Sequence, residues 1–402
     1  MRILPNDLEK DLLGRFQEIF KVQRLEELAR QSRFIERSTS KISGDMFLKL
    51  NVLFESNNSE SSLNDMCDFL EDHFNVRIKK QSLDERFNKE AVTFLKVCFS
   101  EVFNKTMSST DFQPMRNHFS HIYITDSTAF KLPGTLKDLY RGTGTDSGLK
   151  ILYTFDLAQG VCKHLDYRSA SVNDADYLQE IEKEIVHGAL YIKDLGFWRY
   201  SHFQRIHQEQ AYFITRYKTN TQVFGTDKSG SEVLPIQALL PYATQGQYEC
   251  EGFVGTKEKV PVRIVIQKVP LEVAKARIKK IKQKAASQKH QITDTSILLC
   301  NYNIYMTNAS KEQLPYEFIQ TVYRLRWQVE LIFKAWKSIF ELDKIKKMNA
   351  SRFECYLLGR LILILLSTFT QNTLKQYLWE ELGFELSEWK AHKSFKKSHF
   401  VN

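Results

Sequence analysis

Between residues 121 and 218 the sequence alternates strand and helix patterns, and this alternation restricts the possible folds more than any other feature. Strand patterns cover 121–126, 150–156, 161–167, 189–194 and 211–218, and helix patterns cover 173–184 and 201–210. The order is three successive strands, then helix, strand, helix and strand. It predicts an α/β domain with a mixed sheet.

Two of these strand patterns end in a carboxylate. Asp126 follows the run His121–Thr125, and Asp194 follows the run Ala189–Lys193. An aspartate at a strand end is often simply a turn former, so each of these two residues alone is weak evidence for a metal site. Together with a third carboxylate they would fit a metal site, because rigid strand ends position ligands well.

A third carboxylate lies in the segment 323–337, which we interpret as one helix. Steps of about 100° per residue place Tyr323, Arg326, Glu330 and Lys337 within an arc of roughly 60°. An adjacent arc is apolar and would face the core. A carboxylate flanked by cations suits a metal ion that holds phosphate. The alternative is a solvated face with ordinary charge pairs.

The spacing Tyr-x2-Arg-x3-Glu-x6-Lys resembles the YREK signature of DDE cut-and-paste transposases of the insertion-sequence-four type. Asp126-Ser-Thr and Asp194-Leu-Gly-Phe stand where that family has its first two aspartates. The resemblance covers most of residues 119–370. It implies a ribonuclease-H-like α/β fold with a mixed sheet and a β-rich insertion, preceded by an all-helical DNA-binding region.

The resemblance also implies a chemistry. Asp126, Asp194 and Glu330 would hold Mg²⁺, with two ions and with Mn²⁺ as a substitute, for cleavage of DNA and strand transfer. Arg326 and Lys337 would hold phosphates near the cut, and Tyr323 would contact the adjacent backbone or base. Such a transposase binds the terminal inverted repeats of its own element and acts as a homodimer on paired ends of double-stranded DNA.

Residues 1–112 carry almost no strand pattern and are predicted to be helical. Within them, 62–87 fits two short helices joined by a turn, with Ser82 as N-cap and Glu85 completing a capping box. A helix-turn-helix presents the start of its second helix to DNA.

Three basic residues, Lys79, Lys80 and Arg86, cluster at that predicted helix start. We expect them to contact DNA. The alternative is a small helical bundle with a basic corner.

Residues 219–305 are predicted to form an insertion with strands at 248–253, 260–267 and 296–305. Between the last two strands, 274–290 contains seven lysines and arginines and no acid. A helix of this composition favours contact with nucleic acid, for which we single out Lys279 and Lys280. A solvated surface helix is the alternative.

Arg216 and Lys218 close the last strand before the insertion and would lie near the metals. DNA contact and a simple surface pair both fit these two residues. None of the five tryptophans lies in the insertion, whereas well-studied members of the family stack a tryptophan there on a flipped base. Phe224, Tyr242 or Phe253 could substitute, so a hairpin intermediate stays an open question.

The bulk properties agree with a cytoplasmic DNA-acting protein. Net charge is +9 and the sequence pI is about 9.0, which suits a polyanionic partner, although membrane surfaces attract such charge too. The six cysteines are scattered, which indicates neither a zinc site nor a disulfide framework. The apolar run 356–369 contains Arg360 and is predicted to be a buried helix, not a membrane span.

These patterns divide the chain into five parts. The predicted parts are a helical DNA-binding domain (1–112), a first part of the catalytic core (113–218), the insertion (219–305), core helices with Glu330 (306–370) and a basic C-terminal segment (371–402). Two other functions are compatible with this organisation. One is a catalytically silent DNA-binding protein derived from a transposase, and the other is a plain ribonuclease-H-like nuclease.

Overall fold

A ten-stranded mixed sheet forms the centre of the computed structural model. The structure describes residues 14, 17, 21–37, 39–54, 62–106, 118–158, 161–181, 183–219, 221–226, 232–243, 246–288, 291–383 and 390–391. The strands follow the order β3-β2-β1-β4-β5-β10-β9-β8-β6-β7 across the sheet. Their bounds are β1 Ile122–Lys131, β2 Gly148–Asp156, β3 Val161–Ser169, β4 Leu190–Lys193, β5 Tyr212–Arg216, β6 Val223–Phe224, β7 Val233–Leu234, β8 Gln247–Val254, β9 Val260–Lys268 and β10 Tyr302–Thr307.

Helices cover both faces of the sheet and extend before it in the chain. Their bounds are α1 Val22–Gln31, α2 Gly44–Lys49, α3 Leu63–Phe74, α4 Lys80–Asp84, α5 Lys89–Thr106, α6 Asp174–Ile181, α7 Tyr200–Gln208, α8 Ile236–Leu239, α9 Leu271–Gln288, α10 Asp294–Leu299, α11 Tyr316–Arg324, α12 Trp327–Ser338 and α13 Ala350–Leu382. A π-helix, Leu50–Phe54, continues α2. The mixed α/β class predicted from the sequence is therefore present.

The predicted order of strands and helices from 121 to 218 is observed, but the end of β1 differs from the prediction. β1 pairs in parallel with β4, and that pairing ends where Thr125 faces Lys193. β1 itself runs on to Lys131, because its other edge stays paired with β2. Asp126 therefore lies in the middle of its strand, at the point where the parallel pairing stops.

The strands of the predicted insertion extend the same sheet. β10 pairs antiparallel with β5, β9 with β10 and β8 with β9. The predicted strand at 296–305 is wrong in its first half, which forms α10. Thr293 accepts a hydrogen bond from the backbone N–H of Ser296, 3.2 Å away, and this cap starts a helix there.

The basic helix α9 also differs from the prediction in its first turn. It begins at Leu271, so it includes Glu272, which pairs with Lys275 at 3.2 Å. Residues 289 and 290 of the predicted basic helix lie outside the described residues.

The predicted pair of short helices at 62–87 is observed, but its caps were assigned wrongly. The capping box belongs to Ser62 and Asp65 at the start of α3. Ser82 lies inside α4, and Glu85 follows the end of that helix. Lys79 is the N-cap residue of α4 and Lys80 its first residue, so these two basic residues do lie at a helix start. The prediction is wrong for Arg86, which follows the end of the helix.

Helix α13 joins the N-terminal helices to the sheet. It is long and apolar enough to cross a membrane, but 83% of its apolar window is buried inside the protein. α5 and the π-helix pack along it, and its apolar side chains share one core with β1, β2 and β4. Buried Arg360 donates a hydrogen bond to the carbonyl of Phe340 and lies over the ring of Tyr356. The prediction of a buried helix at 356–369 thus agrees with the structure.

Helix α13 also continues to Leu382, past the boundary predicted at residue 370. Within the predicted basic C-terminal segment, residues 384–389 and 392–402 lie outside the described residues.

The closest approach of α13 to the π-helix requires a glycine. A Cβ on Gly359 would lie 2.2 Å from the carbonyl oxygen of Asn51, which is backbone and cannot turn aside. Alanine in place of glycine normally stabilises a helix interior by about 1 kcal/mol. We expect the opposite sign for Gly359→Ala, a loss of about 1–3 kcal/mol from overpacking.

Thermal unfolding of the purified variant measures this effect. Gly134→Ala is the matched control, since a Cβ there would meet nothing within 4 Å. An unchanged or higher melting temperature for Gly359→Ala would contradict the tight contact between α13 and the π-helix.

Candidate active site

The register of the parallel strands places two predicted carboxylates side by side. Ile124 of β1 pairs with Ile192 of β4, and Ile192 pairs with Ile214 of β5. All three isoleucines face the core shared with α13. Side chains two positions further along a strand point to the same face, so Asp126 and Asp194 lie next to each other on that face.

The predicted single helix at 323–337 is wrong, because it is two helices with a tight turn between them. α11 ends at Arg324 and α12 begins at Trp327. In the turn, the N–H of Leu325 bonds the carbonyl of Val322, and the N–H of Arg326 bonds that of Tyr323. These are bonds between residues three apart, which wind the chain more tightly than an α-helix.

Tyr323 and Arg326 therefore reach different acids from the two sides of the turn. The Tyr323 hydroxyl donates to Asp194 Oδ1 at 3.3 Å. The Arg326 guanidinium donates to Asp126 Oδ2 at 2.9 Å.

The Arg326 guanidinium is shared by all three predicted carboxylates. Besides Asp126, it donates to Glu330 Oε1 at 2.7 Å, and its Nε lies 3.9 Å from Asp194 Oδ1. Only 12% of the Arg326 side chain is exposed, against 44% for Glu330. Acids from β1, from the end of β4 and from α12 thus converge on one cation, in a site that is open to solvent on the side of Glu330.

Burial has strong effects on the protonation of this cluster. It raises the pKa of Asp126 to about 6, to which the charges of Asp194 and Glu330 add, while the Ser127 N–H and the charge of Arg326 oppose the shift. Burial and the charge of Asp194 raise the pKa of the Tyr323 hydroxyl well above its ordinary value. Burial disfavours the charged guanidinium, but Asp194 and Asp126 outweigh it and raise the pKa of Arg326.

The donor set consists of carboxylate oxygens, the ligands that Mg²⁺ prefers. Within the described residues, however, no three His, Cys, Asp or Glu side chains are close enough to share one metal ion. The acids are grouped around the Arg326 guanidinium instead. The residues present therefore fit a hard cation in charge and ligand type, and Arg326 holds them together in this arrangement.

The other cations predicted near the acids lie on α12 and at or just beyond the end of β5. Lys337 donates from Nζ to the carbonyl of Ala129 at 3.2 Å, so α12 runs beside the second half of β1. Arg216 ends β5 two residues after Ile214 and lies on the same sheet face as the acids. Lys218 follows the strand and is exposed.

The remaining predicted DNA contacts lie on other parts of the molecule. Lys79 and Lys80 are exposed at the start of α4, and Lys279 and Lys280 are exposed on α9. Arg86 is half-buried, because its guanidinium donates to Ser40 Oγ at 2.7 Å and lies over the Phe34 ring.

The structure also distinguishes the aromatic candidates for base stacking. Phe224 is buried, whereas Tyr242 is exposed and stacks on Tyr248 at 5.3 Å. Tyr248 is half-buried and packs against the core on the sheet face away from the acids. Tyr242 and Phe224 are thus poorly placed to stack a base at this site, and Phe253 is half-buried on β8.

Sequence reasoning missed a basic pocket beside Tyr323. A cavity of about 500 Å³ is lined by Arg216, Arg277 and Arg324, together with Asn303. In the sequence, Arg277 is one of the seven basic residues of 274–290. Because these residues come from β5, β10, α9 and α11, spacing along the chain carries no signal for their meeting.

Comparisons with known proteins give a family match and several similar sequences. Residues 117–366 match the family described as Transposase DDE domain. The transposase for insertion sequence element IS231F of Bacillus thuringiensis subsp. israelensis is 30% identical, covering 91% of this chain and 81% of its own length. The transposase for IS1151 of Clostridium perfringens is 31% identical, covering 95% of this chain and 85% of its own.

A solved structure is also similar. The cryo-EM structure of the piggyBac transposase synaptic complex with hairpin DNA covers 96% of this chain and 80% of its own chain, with a TM-score of 0.50 and 11% identity. At this identity the similarity concerns the fold.

The raised pKa of Asp126 predicts a gain of stability when its charge is removed. Between the pKa of an unperturbed aspartate, about 3.9, and the folded-state value, the folded protein binds the proton more tightly than the unfolded chain. The free energy of unfolding therefore falls as pH rises through this range. We expect Asp126→Asn to raise the free energy of unfolding at pH 7.5 by on the order of 2 kcal/mol. This gain in stability should shrink towards pH 5.

Unfolding of both proteins in EDTA at the two pH values tests this expectation. Asp146→Asn, which changes an exposed aspartate in the loop before β2, serves as control and should have little effect at either pH. A less stable Asp126→Asn at pH 7.5, or a difference that does not depend on pH, would contradict the burial of a costly charge.

Proposed function

Because the chain belongs to the DDE transposase family, we propose that it performs cut-and-paste DNA transposition with Asp126, Asp194 and Glu330 as its catalytic acids. It binds the terminal inverted repeats of its insertion sequence, cleaves the DNA and joins the 3′ ends to a target. The family assignment rests on the match over residues 117–366 and on relatives at 30–31% identity.

One observation carries the assignment of the site. Three carboxylates that are far apart in the sequence converge on the single guanidinium of Arg326, at 2.9, 2.7 and 3.9 Å. Bringing like charges together costs free energy unless a cation is present. A protein that only bound DNA would gain nothing from converging acids, which repel the phosphate backbone.

Divalent ions, Mg²⁺ or Mn²⁺ and two in number, would supply Lewis acidity at the attacking and leaving oxygens of the displacement at phosphorus. Asp126, Asp194 and Glu330 would hold them. Ionised carboxylates are needed for this role, and burial raises the pKa of Asp126 to about 6. Its backbone is paired with Tyr153 of β2, one residue beyond the end of the pairing with β4, and this pairing fixes the position of its side chain.

The cations of the site bind the substrate. Arg326 offers several N–H donors in one plane, which suits a phosphate better than a lysine would. Lys337 lies further along the same helix, where it extends the positive line beside β1. Tyr323 keeps its hydroxyl proton at neutral pH and therefore contributes as a hydrogen-bond donor.

Other basic residues guide the DNA outside the site. These proposed DNA contacts lie at or just beyond the end of β5 (Arg216 and Lys218), on α9 (Lys279 and Lys280) and at the start of α4 (Lys79 and Lys80). Of the predicted contacts, Arg86 is the weakest, since it already binds Ser40. Phosphate contacts of this kind provide affinity without reading sequence.

The same proposal includes the oligomeric state and the domain organisation of the protein. The protein acts in the cytoplasm as a homodimer on paired ends. Residues 1–112 bind the ends, and residues 113–218 with 306–370 form a ribonuclease-H-like core. Residues 219–305 extend the sheet of that core and carry α9.

Excision in cells and cleavage in vitro test the proposal, using the DNA that flanks the gene as substrate. We expect wild type to cut these ends with Mg²⁺ or Mn²⁺. Asp126→Asn and Glu330→Gln should retain end binding but lose cleavage by at least a thousandfold, because each removes an ionised metal ligand. Glu317→Gln, which changes an exposed acid on α11, is the matched control and should cut normally.

The outcomes separate the three functions. Binding by wild type without cleavage in either metal would make the protein a silent DNA-binding protein. Cleavage without joining of the 3′ ends to a target would make it a nuclease. Normal cleavage by Asp126→Asn would remove this site from the chemistry.

A further inference from the structure

The pocket beside Tyr323 collects positive charge without an acidic partner. It is the 500 Å³ cavity lined by Arg216, Arg277 and Arg324. No acidic side chain of the described residues lines it. Three guanidiniums that share one pocket repel each other, so an arrangement of this kind indicates a bound anion.

The sheet supplies the floor of this arginine pocket. Arg216 is the direct partner of Tyr305 in the pairing of β5 with β10, and Asn303 lies two residues before Tyr305 on the same face. Asn303 and Tyr305 are buried, whereas Arg216 is exposed. The pocket therefore has a rigid floor with a charged edge.

Helix α9 supplies a second arginine that is already held in place. Arg277 donates to Asn303 Oδ1 at 2.7 Å and to the carbonyls of Tyr302 and Cys300 at 3.2 and 3.4 Å. Burial, and next the charge of Arg216, lower the pKa of Arg277. The guanidinium is thus fixed in orientation and close to a like charge, which an anion between them would relieve.

The third arginine comes from the end of α11. Arg324 is exposed and is the last residue of the helix. Because it needs to give up no ion pair among the described residues, it can turn towards a ligand at low cost.

The pocket adjoins the acids through one side chain. Tyr323 lines it, lies 5.3 Å from the Tyr305 ring, and at the same time donates from its hydroxyl to Asp194. A ligand in the arginine pocket would therefore lie directly beside a DNA bond held at the acids.

We propose that the arginine pocket, formed by Arg216, Arg277 and Arg324, binds one backbone phosphate of the DNA strand near the bond that is cut. This inference rests on the proposed function and extends it to a defined phosphate. Guanidinium groups bind phosphate oxygens with paired N–H donors, and three of them hold that phosphate in one place. The neighbouring bond is thereby positioned at Asp126, Asp194 and Glu330.

The test measures binding of a duplex carrying the element's own terminal repeat, in EDTA so that no cleavage occurs. Arg324→Gln should weaken binding roughly tenfold, as loss of one charged hydrogen bond would, and reduce the slope of log Kd against log salt by about 1. Lys275→Gln removes the same charge from α9 outside the pocket and should change affinity far less.

A scan of neutral methylphosphonates along the terminal turn locates the phosphate. At one position the neutral group should weaken binding of wild type and Lys275→Gln equally. The loss at that position should be clearly smaller in Arg324→Gln, where only two of the three arginines remain. Arg277→Gln should behave as Arg324→Gln does. If Arg277→Gln is less stable because its hydrogen bonds to the sheet are lost, the test uses Arg277→Lys and Arg324→Gln instead.

Each outcome supports or overturns the proposal. If wild type binds and cuts its ends but no phosphate position couples to Arg324, the arginine pocket is not a DNA site, although the transposase function stands. A different result is that inorganic phosphate alone raises the melting temperature of wild type and not of Arg324→Gln. If no DNA phosphate couples to Arg324 in that case, the pocket binds a free anion and the proposal is wrong. If wild type neither binds nor cuts, the proposed function itself has failed.

Discussion

The parallel register of β1, β4 and β5 is the constraint on which the site depends. Ile124, Ile192 and Ile214 pair in one row and fill the core beneath α12 and α13. A shift of one residue in any strand would turn its side chains to the other face. Apolar contacts thus determine where Asp126 and Asp194 lie. The charged groups do not set their own positions, because like charges repel each other.

Electrostatics then sets the cost of this geometry. One buried guanidinium balances three carboxylates, and the balance is incomplete, since Asp126 still binds its proton more tightly than a free aspartate does. In the proposed function, the role of Asp126 thus opposes stability at this position, as is common at active sites. Arg326 can serve all three acids because a guanidinium offers several N–H donors in one plane.

Local sequence patterns predicted much of this site, and long-range packing decided the rest. The order of strands and helices, Asp194 after β4 and the buried helix at 356–369 were all readable, because apolar periodicity reports which face is covered. The continuation of β1 beyond Asp126 was not, since it depends on pairing with β2. The turn before α12 also left no local signal, as neither glycine nor proline marks it.

The basic pocket shows the same limit more clearly. Arg277 looked like one charge among seven on a surface helix, and only the pairing of β10 with β5 brings it to Arg216. Spacing along a chain finds residues that share a helix or a strand. It does not find residues that meet because a sheet continues through an insertion.

The core shared by the N-terminal helices and α13 links the folding of those helices to completion of synthesis. α5 ends at Thr106, whereas its partner begins only at Ala350. Because chains are synthesised at roughly 5–20 residues per second, the apolar faces of the N-terminal helices stay without α13 for on the order of tens of seconds. A chain that stops before α13 therefore leaves the apolar faces of the N-terminal helices exposed to solvent.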